Sequence, residues 1–296
     1  MAITGSVARG DAGPGSDLDL WLIGPGTGRR SFVERGVPVT LLMQTPAEAR
    51  SFDSLCLFEV ADLIVLSDPR GHFQQVKRAF AQRRAAIRRA IVEATLEDLR
   101  FELAQGAVGS TWSRVMFLRA AGFRLCALWL FKQTDWRVPR IRTLRTHLPP
   151  GARTALFRLL ALPRLTPSFI RGLPATIARV DRWLKDAARR GALSRRVFAD
   201  LPREVVAKWR AGEPEDAAWL LRKQLAQEWL PPLLDARGAN DVANLALTDA
   251  PRGLRDLFLE AQGLKGVSAW DRRKTAQVGA QLRALASQLG LSRLLR

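Results

Sequence analysis

Residues 1–23 read MAITGSVARGDAGPGSDLDLWLI, and this stretch decides the fold of the N-terminal region. The Gly5-Ser6 pair comes first and a glycine-rich segment follows it. The chain then passes through Asp17-x-Asp19 into an apolar Trp-Leu-Ile run, which is typical of a β-strand. The sequence therefore predicts a glycine bend followed by a strand that carries two carboxylates.

Two carboxylates that are two residues apart on a strand project from the same face of the sheet. They can hold hard cations, because Mg2+ prefers oxygen ligands from a few carboxylates together with substrate phosphates. Two such ions, about 3.5–4 Å apart, can hold the attacking and leaving oxygens of an in-line phosphoryl transfer. Trp21 shares the face of Asp17 and Asp19 and is the candidate for stacking on a base. The opposite face is expected to be apolar, with Leu18, Leu20 and Leu22.

The Gly-Ser pair suits a phosphate because glycine lets the backbone approach a ligand closely. If residues 6–10 turn into a helix, the first N–H groups of that helix face the phosphates. The glycine-rich residues 11–16 then return the chain to the sheet.

The pattern G-S-x10-D-x-D followed by apolar strand residues resembles the signature of the DNA polymerase β-like nucleotidyltransferase superfamily, in particular its small bacterial members. The resemblance covers residues 1–72. It implies transfer of a nucleoside monophosphate from an NTP, expected to be ATP, to a hydroxyl group, with release of pyrophosphate. The expected acceptor is a small molecule, as in aminoglycoside- and lincosamide-modifying relatives.

The resemblance also implies roles for individual residues. Asp17 and Asp19 would be catalytic and would bind two Mg2+ (or Mn2+) ions. Gly5 and Ser6 would contact the β- and γ-phosphates. The remaining nucleotide-binding candidates are Arg9 and Ser16, with pairing of Arg9 to Asp11 on a helix surface as the alternative for that arginine.

The sequence departs from the family pattern at the third carboxylate, which usually lies on a neighbouring strand and assists deprotonation of the acceptor. The expected position is near residue 40, where Thr40 stands, and threonine cannot act as a base near neutral pH. Glu34 and Glu48 are the alternative acids. Nucleotide and metal binding are thus expected to persist while transfer slows. The domain also begins closer to the Gly-Ser pair than is usual in the family.

The fold class expected is α+β, with a small mixed-sheet domain at 1–72 and an all-helical domain at 73–296 that binds the acceptor or a partner. A hairpin (31–34 and 37–43), a helix start at Thr45-Pro46 with Glu48, and a strand at 61–66 complete the first domain. Beyond it, helical spacing of apolar residues and Pro or Gly breaks predict the following helices. They are about 73–105, 111–132, 152–162, 174–190, 201–211, 215–230 and 268–294.

The composition and the absence of certain motifs exclude several classes of site and of protein. The 296 residues contain two histidines and two cysteines, which excludes a His- or Cys-rich zinc site, and no G-x-S-x-G marks a hydrolase. Cys56 and Cys126 are expected to be reduced core thiols. No apolar run reaches the roughly 18 residues of a membrane span and no signal peptide is visible, so a cytoplasmic location is expected.

The net charge of +19 fits a polyanionic partner, but the arginines are distributed along the chain and do not form one block. Four hypotheses follow: transfer to a small molecule, an antitoxin-like protein that modifies a protein, a non-catalytic nucleotide-binding protein, and a nucleic-acid polymerase or tRNA-end enzyme. Arg142 and His147 match the R-x4-H pattern of HEPN ribonucleases, a six-residue match for which chance is the favoured explanation.

Overall fold

The computed structural model describes residues 1–10, 12–13, 16–51, 60–134, 140–187, 195–223 and 252–295. These residues fall into two compact units, the first mainly Met1–Thr95 and the second mainly Leu96–Gln133 and Pro139–Arg296. The division lies within a long helix, His72–Ala107, whereas the sequence analysis places a domain boundary at the start of that helix.

The first unit contains a five-stranded mixed sheet, in agreement with the predicted α+β class. Its elements are β1 (Ala2–Thr4), α1 (Gly5–Arg9), β2 (Leu18–Ile23), β3 (Gly28–Glu34), β4 (Val37–Gln44), α2 (Pro46–Ser51), β5 (Ile64–Val65) and the first part of α3 (His72–Ala107). The strand order is β3-β4-β2-β1-β5, and β2 pairs with β4 in parallel while the other described pairs are antiparallel.

The buried face of this sheet is the one that carries the aspartates, which corrects the prediction for β2. Trp21 is fully buried, and its ring meets Phe73 of α3 edge-on with centroids 5.7 Å apart. Leu22, on the face that the sequence predicted to be apolar, is instead 38% exposed. Alternation shows which side chains share a face, but packing of α3 decides which face becomes the core.

The second unit is helical, as predicted. After the second part of α3 it contains α4 (Thr111–Gln133), α5 (Ile141–His147), α6 (Pro150–Leu160), α7 (Pro167–Ala187), α8 (Arg195–Arg210), α9 (214–223), α10 (Arg252–Ala261), α11 (Arg272–Gln288) and a 3-10 turn at Ser292–Leu295. Helix α11 packs against α4 and α6. None of the described helices is both long and apolar enough to cross a membrane.

Two buried arginines join helix ends inside the second unit. Arg119 and Arg222 donate to backbone carbonyl oxygens at the ends of α6 and α10, where unpaired carbonyls carry the negative end of the helix dipole. The acceptors belong to Leu159, Leu160, Ala161, Ala261 and Gln262. Burial lowers the pKa of Arg119 to about 10 and lowers that of Arg222 as well.

Two predictions for the helical region were wrong. Pro174 lies inside α7, which starts seven residues earlier at Pro167. Thr166 caps that start, accepting a hydrogen bond from the backbone N–H of Phe169 at 3.3 Å, and proline fits the first helical position. Helix α10 was not predicted, and it ends before Gly263, whose φ is +61°. The predicted residues 224–230 lie outside the described part of the chain.

Candidate functional site

The Gly5 bend lies directly against an aspartate of β2. Strand β1 pairs with β2 so that Thr4 is opposite Asp19, and the chain then turns sharply into α1. Gly5 has a φ of +68°, and a Cβ placed on it would overlap Oδ2 of Asp19 and lie 2.9 Å from its Cγ. Glycine is therefore required here both by backbone conformation and by the neighbouring carboxylate.

The second aspartate lies beside the same strand pair. Asp17 immediately precedes β2, and its Oδ2 accepts a long hydrogen bond of 3.4 Å from Oγ1 of Thr40. Thr40 itself is directly opposite Asp19 in the parallel β2–β4 pair. Both predicted aspartates thus lie around one threonine of the neighbouring strand, which occupies the position expected for a third acid.

Two buried threonines flank Asp19 in the sheet. Thr4 on β1 and Thr40 on β4 are its neighbours on either side, and they are 3% and 8% exposed. Thr4 could not be predicted from the sequence, because only the strand pairing shows that it lies opposite Asp19. Its hydroxyl-bearing side chain shares the face of the aspartate, since directly opposite residues in a sheet project to the same side.

The two alternative acids are both placed away from the aspartates. Glu34 pairs with Val37 at the hairpin end of β3, three residues beyond Ser31, the partner of Thr40. An odd separation along a strand puts it on the opposite sheet face. Glu48 caps α2, where its Oε2 accepts from the N–H and hydroxyl of Thr45 at 2.8 and 3.0 Å. That capping box confirms the predicted helix start.

The other predicted nucleotide-binding residues lie in and after α1. Ser6 is buried beside Gly5, and Arg9 is half-buried in the last turn of α1, whereas the proposed partner Asp11 lies outside the described residues. Ser16 closes the returning loop: its Oγ accepts from the N–H of Gly13 at 2.9 Å. This hydroxyl therefore has a local structural partner immediately before the aspartate pair.

Trp21 does not serve as the predicted base-stacking residue. Its side chain is fully buried among core residues of the first unit, on α3 and the sheet, so no ring face is available to a nucleotide. Other tryptophans also fill helix packing, as predicted. The indole N–H groups of Trp112 and Trp209 donate to the carbonyls of Val267 and Leu165, and Trp219 stacks on Phe123.

Three further groups of the second unit bear on the predictions. Arg142 and His147 lie five residues apart on α5, and Arg142 Nη1 is 3.5 Å from a carboxylate oxygen of Glu213.

Cys126 is a buried free thiol whose pKa is raised by burial, as expected of a core cysteine, and Cys56 lies outside the described residues. Glu102 has a pKa raised to about 7 by burial, against the opposing effect of Arg124 at 3.2 Å.

The donor set around Asp19 fits a divalent cation with phosphate ligands. Two carboxylates and a hydroxyl converge on the start of β2, and the Asp19 carboxylate lies in the space that the missing Gly5 side chain leaves free. Among the described residues, no group of three or more histidine, cysteine or acidic side chains could hold a metal ion by itself. An ion at this site would therefore depend on further oxygen ligands, such as those of a phosphate group.

A mixed sheet with an aspartate pair against a glycine bend makes the first unit an α+β domain with a candidate site for a metal ion and a phosphate. Residues 1–70 match the family model described as a nucleotidyltransferase domain, consistent with membership of the DNA polymerase β-like nucleotidyltransferase superfamily. No curated protein and no solved structure gives a significant match to the chain. The domain supports a nucleotidyl transfer function.

Proposed function

We propose that the N-terminal unit binds ATP with Mg2+ and transfers its nucleoside monophosphate to a hydroxyl group of a small molecule. The observation that carries this proposal is the contact between the Gly5 bend and the Asp19 carboxylate. It joins the backbone that would approach the phosphates to the acid that would hold the metal. The match of residues 1–70 to the nucleotidyltransferase domain model supports the same reaction class.

In the proposed complex Asp17 and Asp19 would hold two Mg2+ (or Mn2+) ions, to which the triphosphate would also be a ligand. The bound ion supplies charge neutralisation on the phosphates. Gly5 has no side chain, so the bend and the Asp19 carboxylate lie directly against each other, and the β- and γ-phosphates would bind beside them. The backbone N–H of Ser6 follows in the same bend. The acceptor oxygen bonds to the α-phosphorus, the bond from that phosphorus to the bridging oxygen breaks, and pyrophosphate leaves.

The proton of the acceptor hydroxyl has no third carboxylate to receive it in the described part of the unit. Thr40 stands in that place and already donates to Asp17. A neutral hydroxyl is a poor base near neutral pH, so the proton would pass to water. General base catalysis contributes typically 10²–10⁴-fold, so the transfer is expected to be slow by about that factor.

Thr40 also favours a second candidate function. A domain that binds ATP and metal but transfers slowly could act as a nucleotide-binding regulator or as an antitoxin-like partner of another protein. The two candidates share the binding step and differ in whether pyrophosphate is released.

The test is a labelling assay with purified protein, Mg2+, α-phosphate-labelled ATP and a panel of hydroxyl-bearing small molecules that includes aminoglycosides and lincosamides. We expect a labelled product and pyrophosphate, both lost in the Asp17→Asn/Asp19→Asn variant, which retains the size of the side chains. Labelling that survives in this variant contradicts the proposal. Binding of ATP without pyrophosphate release selects the regulatory alternative.

A further inference from the structure

The first half of α3 carries an unusually one-sided charge. Residues 72–92 contain six lysines and arginines and no carboxylate, whereas residues 93–107 contain four carboxylates and one arginine. The cations are Lys77, Arg78, Arg83, Arg84, Arg88 and Arg89. Positive charge is spread along the chain as a whole, but this half of the helix carries six cations with no carboxylate between them.

The cations of α3 lie on the flanks of its buried side and on the side that faces solvent. Phe73, Val76, Phe80 and Ile87 form its buried side, in the core of the first unit. Spacings of seven and four residues put Lys77, Arg84 and Arg88 in one row, and a spacing of eleven puts Arg78 and Arg89 in an adjacent row. Each row extends about 16 Å along the helix axis, at 1.5 Å per residue.

These side chains are accessible and several are without acidic partners. Arg78, Arg84 and Arg89 are exposed, and Lys77 and Arg88 are half-buried. Within the described residues, Lys77, Arg78 and Arg89 take part in no ion pair. These three cations on one helix repel one another, because like charges repel, and a polyanion relieves that repulsion.

The array lies on a helix that packs over the functional face of the sheet. Phe73, one turn before Lys77, meets Trp21, and Trp21 shares its face of β2 with Asp19. A polyanion bound along α3 would thus lie on the same side of the sheet as the aspartate pair, within one compact unit.

We propose that the solvent side of α3 between Lys77 and Arg89 binds the phosphodiester backbone of a nucleic acid. Cations that recur along about 16 Å of helix can contact successive phosphates of one chain, and their position on a continuous helix requires no cavity or bound cofactor. Contacts of this kind position the nucleic acid without reading its sequence, so RNA and DNA would both bind. The surface does not use Asp17 or Asp19, so its binding is independent of the proposed transfer reaction.

The test measures fluorescence anisotropy of two labelled probes, a mixed-sequence 20-nucleotide single-stranded RNA and a 20-base-pair DNA duplex, over a series of salt concentrations. The binding variant is Lys77→Gln/Arg78→Gln/Arg89→Gln, because glutamine retains helix propensity. The matched control is Arg164→Gln/Arg171→Gln/Arg210→Gln, which removes the same charge from exposed positions of the second unit. The full-length chain is used throughout.

We expect the α3 variant to bind either probe on the order of a hundred-fold more weakly at 100 mM salt, with a salt slope smaller by about two to three, since each lost phosphate contact lowers the slope by roughly 0.9. The control should change affinity less than about three-fold. The Asp17→Asn/Asp19→Asn variant should bind both probes as the unchanged protein does, which separates this result from failure of the transfer reaction.

Equal weakening in the α3 and control variants would overturn the proposal, because it would show a dependence on net charge alone. Absence of binding to both probes at 50 mM salt would also overturn it. So would binding to vesicles of 30% phosphatidylserine and 70% phosphatidylcholine in the absence of nucleic-acid binding, since a membrane would then be the polyanion. Circular dichroism of each variant establishes that α3 remains folded.

Discussion

The contact between Gly5 and Asp19 can be tested by adding a single methyl group. In Gly5→Ala the new Cβ overlaps Oδ2 of Asp19, so the carboxylate must move. A displacement of about 1 Å in a site of this kind can cost about 10²-fold in function. We therefore expect the affinity for ATP with Mg2+ to fall about a hundred-fold, equivalent to about 2.7 kcal/mol.

Gly10→Ala is the matched control for that substitution. Gly10 ends α1 with a φ of +72°, close to the +68° of Gly5, but a Cβ placed there meets no atom within 4 Å. Both variants therefore carry a similar cost of left-handed backbone, about 1–2 kcal/mol, and only one of them disturbs the aspartate.

The assay is titration of a fluorescent ATP analogue in Mg2+, accompanied by urea unfolding of each variant. Comparable losses of stability with a much larger loss of binding in Gly5→Ala would support the account. Equal binding by the two variants would refute the reasoning, because the contact with Asp19 would then have no bearing on the nucleotide.

Three further predictions address the missing acid, the core and the pH dependence. Thr40→Asp adds a carboxylate opposite Asp19 and should raise the rate of pyrophosphate release by about 10²-fold or more. The rate is measured with a coupled phosphate assay at saturating ATP. An unchanged rate would contradict the claim that a general base is missing at position 40. Trp21→Ala removes a fully buried ring and should destabilise the first unit by about 3–5 kcal/mol in urea unfolding, while a loss below about 1 kcal/mol would contradict its place in the core. The pKa of Glu102 is raised from 4.5 to about 7, so the folded protein binds more protons than the unfolded chain in that window. Stability should decline as pH rises from about 4.5 to 7, by up to about 3 kcal/mol for this group, and Glu102→Gln should flatten the profile in unfolding measurements across that range.

The local features of the first unit were accessible from sequence because each depends on neighbours in the chain. The Gly-Ser pair before Asp17-x-Asp19 predicted a bend and a strand, and Thr45-Pro46 with Glu48 predicted a capped helix that the hydrogen bonds confirm. These signals follow from backbone dihedrals and short-range hydrogen bonds, which a few residues suffice to specify.

The side of the sheet that becomes the core depended on distant residues. The alternation in β2 predicts a buried face formed by Leu18, Leu20 and Leu22. Phe73 instead packs on the opposite face, against Trp21, which is buried in the core. The identity of the residue beside Asp19 likewise required the register between β2 and β4, which pairs it with Thr40. Pairing register is a long-range property that alternation alone leaves open.

The helical unit shows the same contrast. The apolar spacing locates most of its helices, but Pro174 predicts a boundary where α7 continues, because proline usually ends a helix. The earlier start at Thr166-Pro167 has the same capping chemistry as Thr45-Pro46, so this signal was present in the sequence and was overlooked.

The central claim is that Asp17 and Asp19 beside the Gly5 bend form a metal-dependent nucleotide site. Isothermal titration calorimetry of ATP into the unchanged protein and into Asp17→Asn/Asp19→Asn, each with Mg2+ and with EDTA, tests it most directly. The account predicts saturable binding that requires both Mg2+ and the two carboxylates. Binding of equal strength in the double variant, or no binding by the unchanged protein at millimolar ATP, would contradict it.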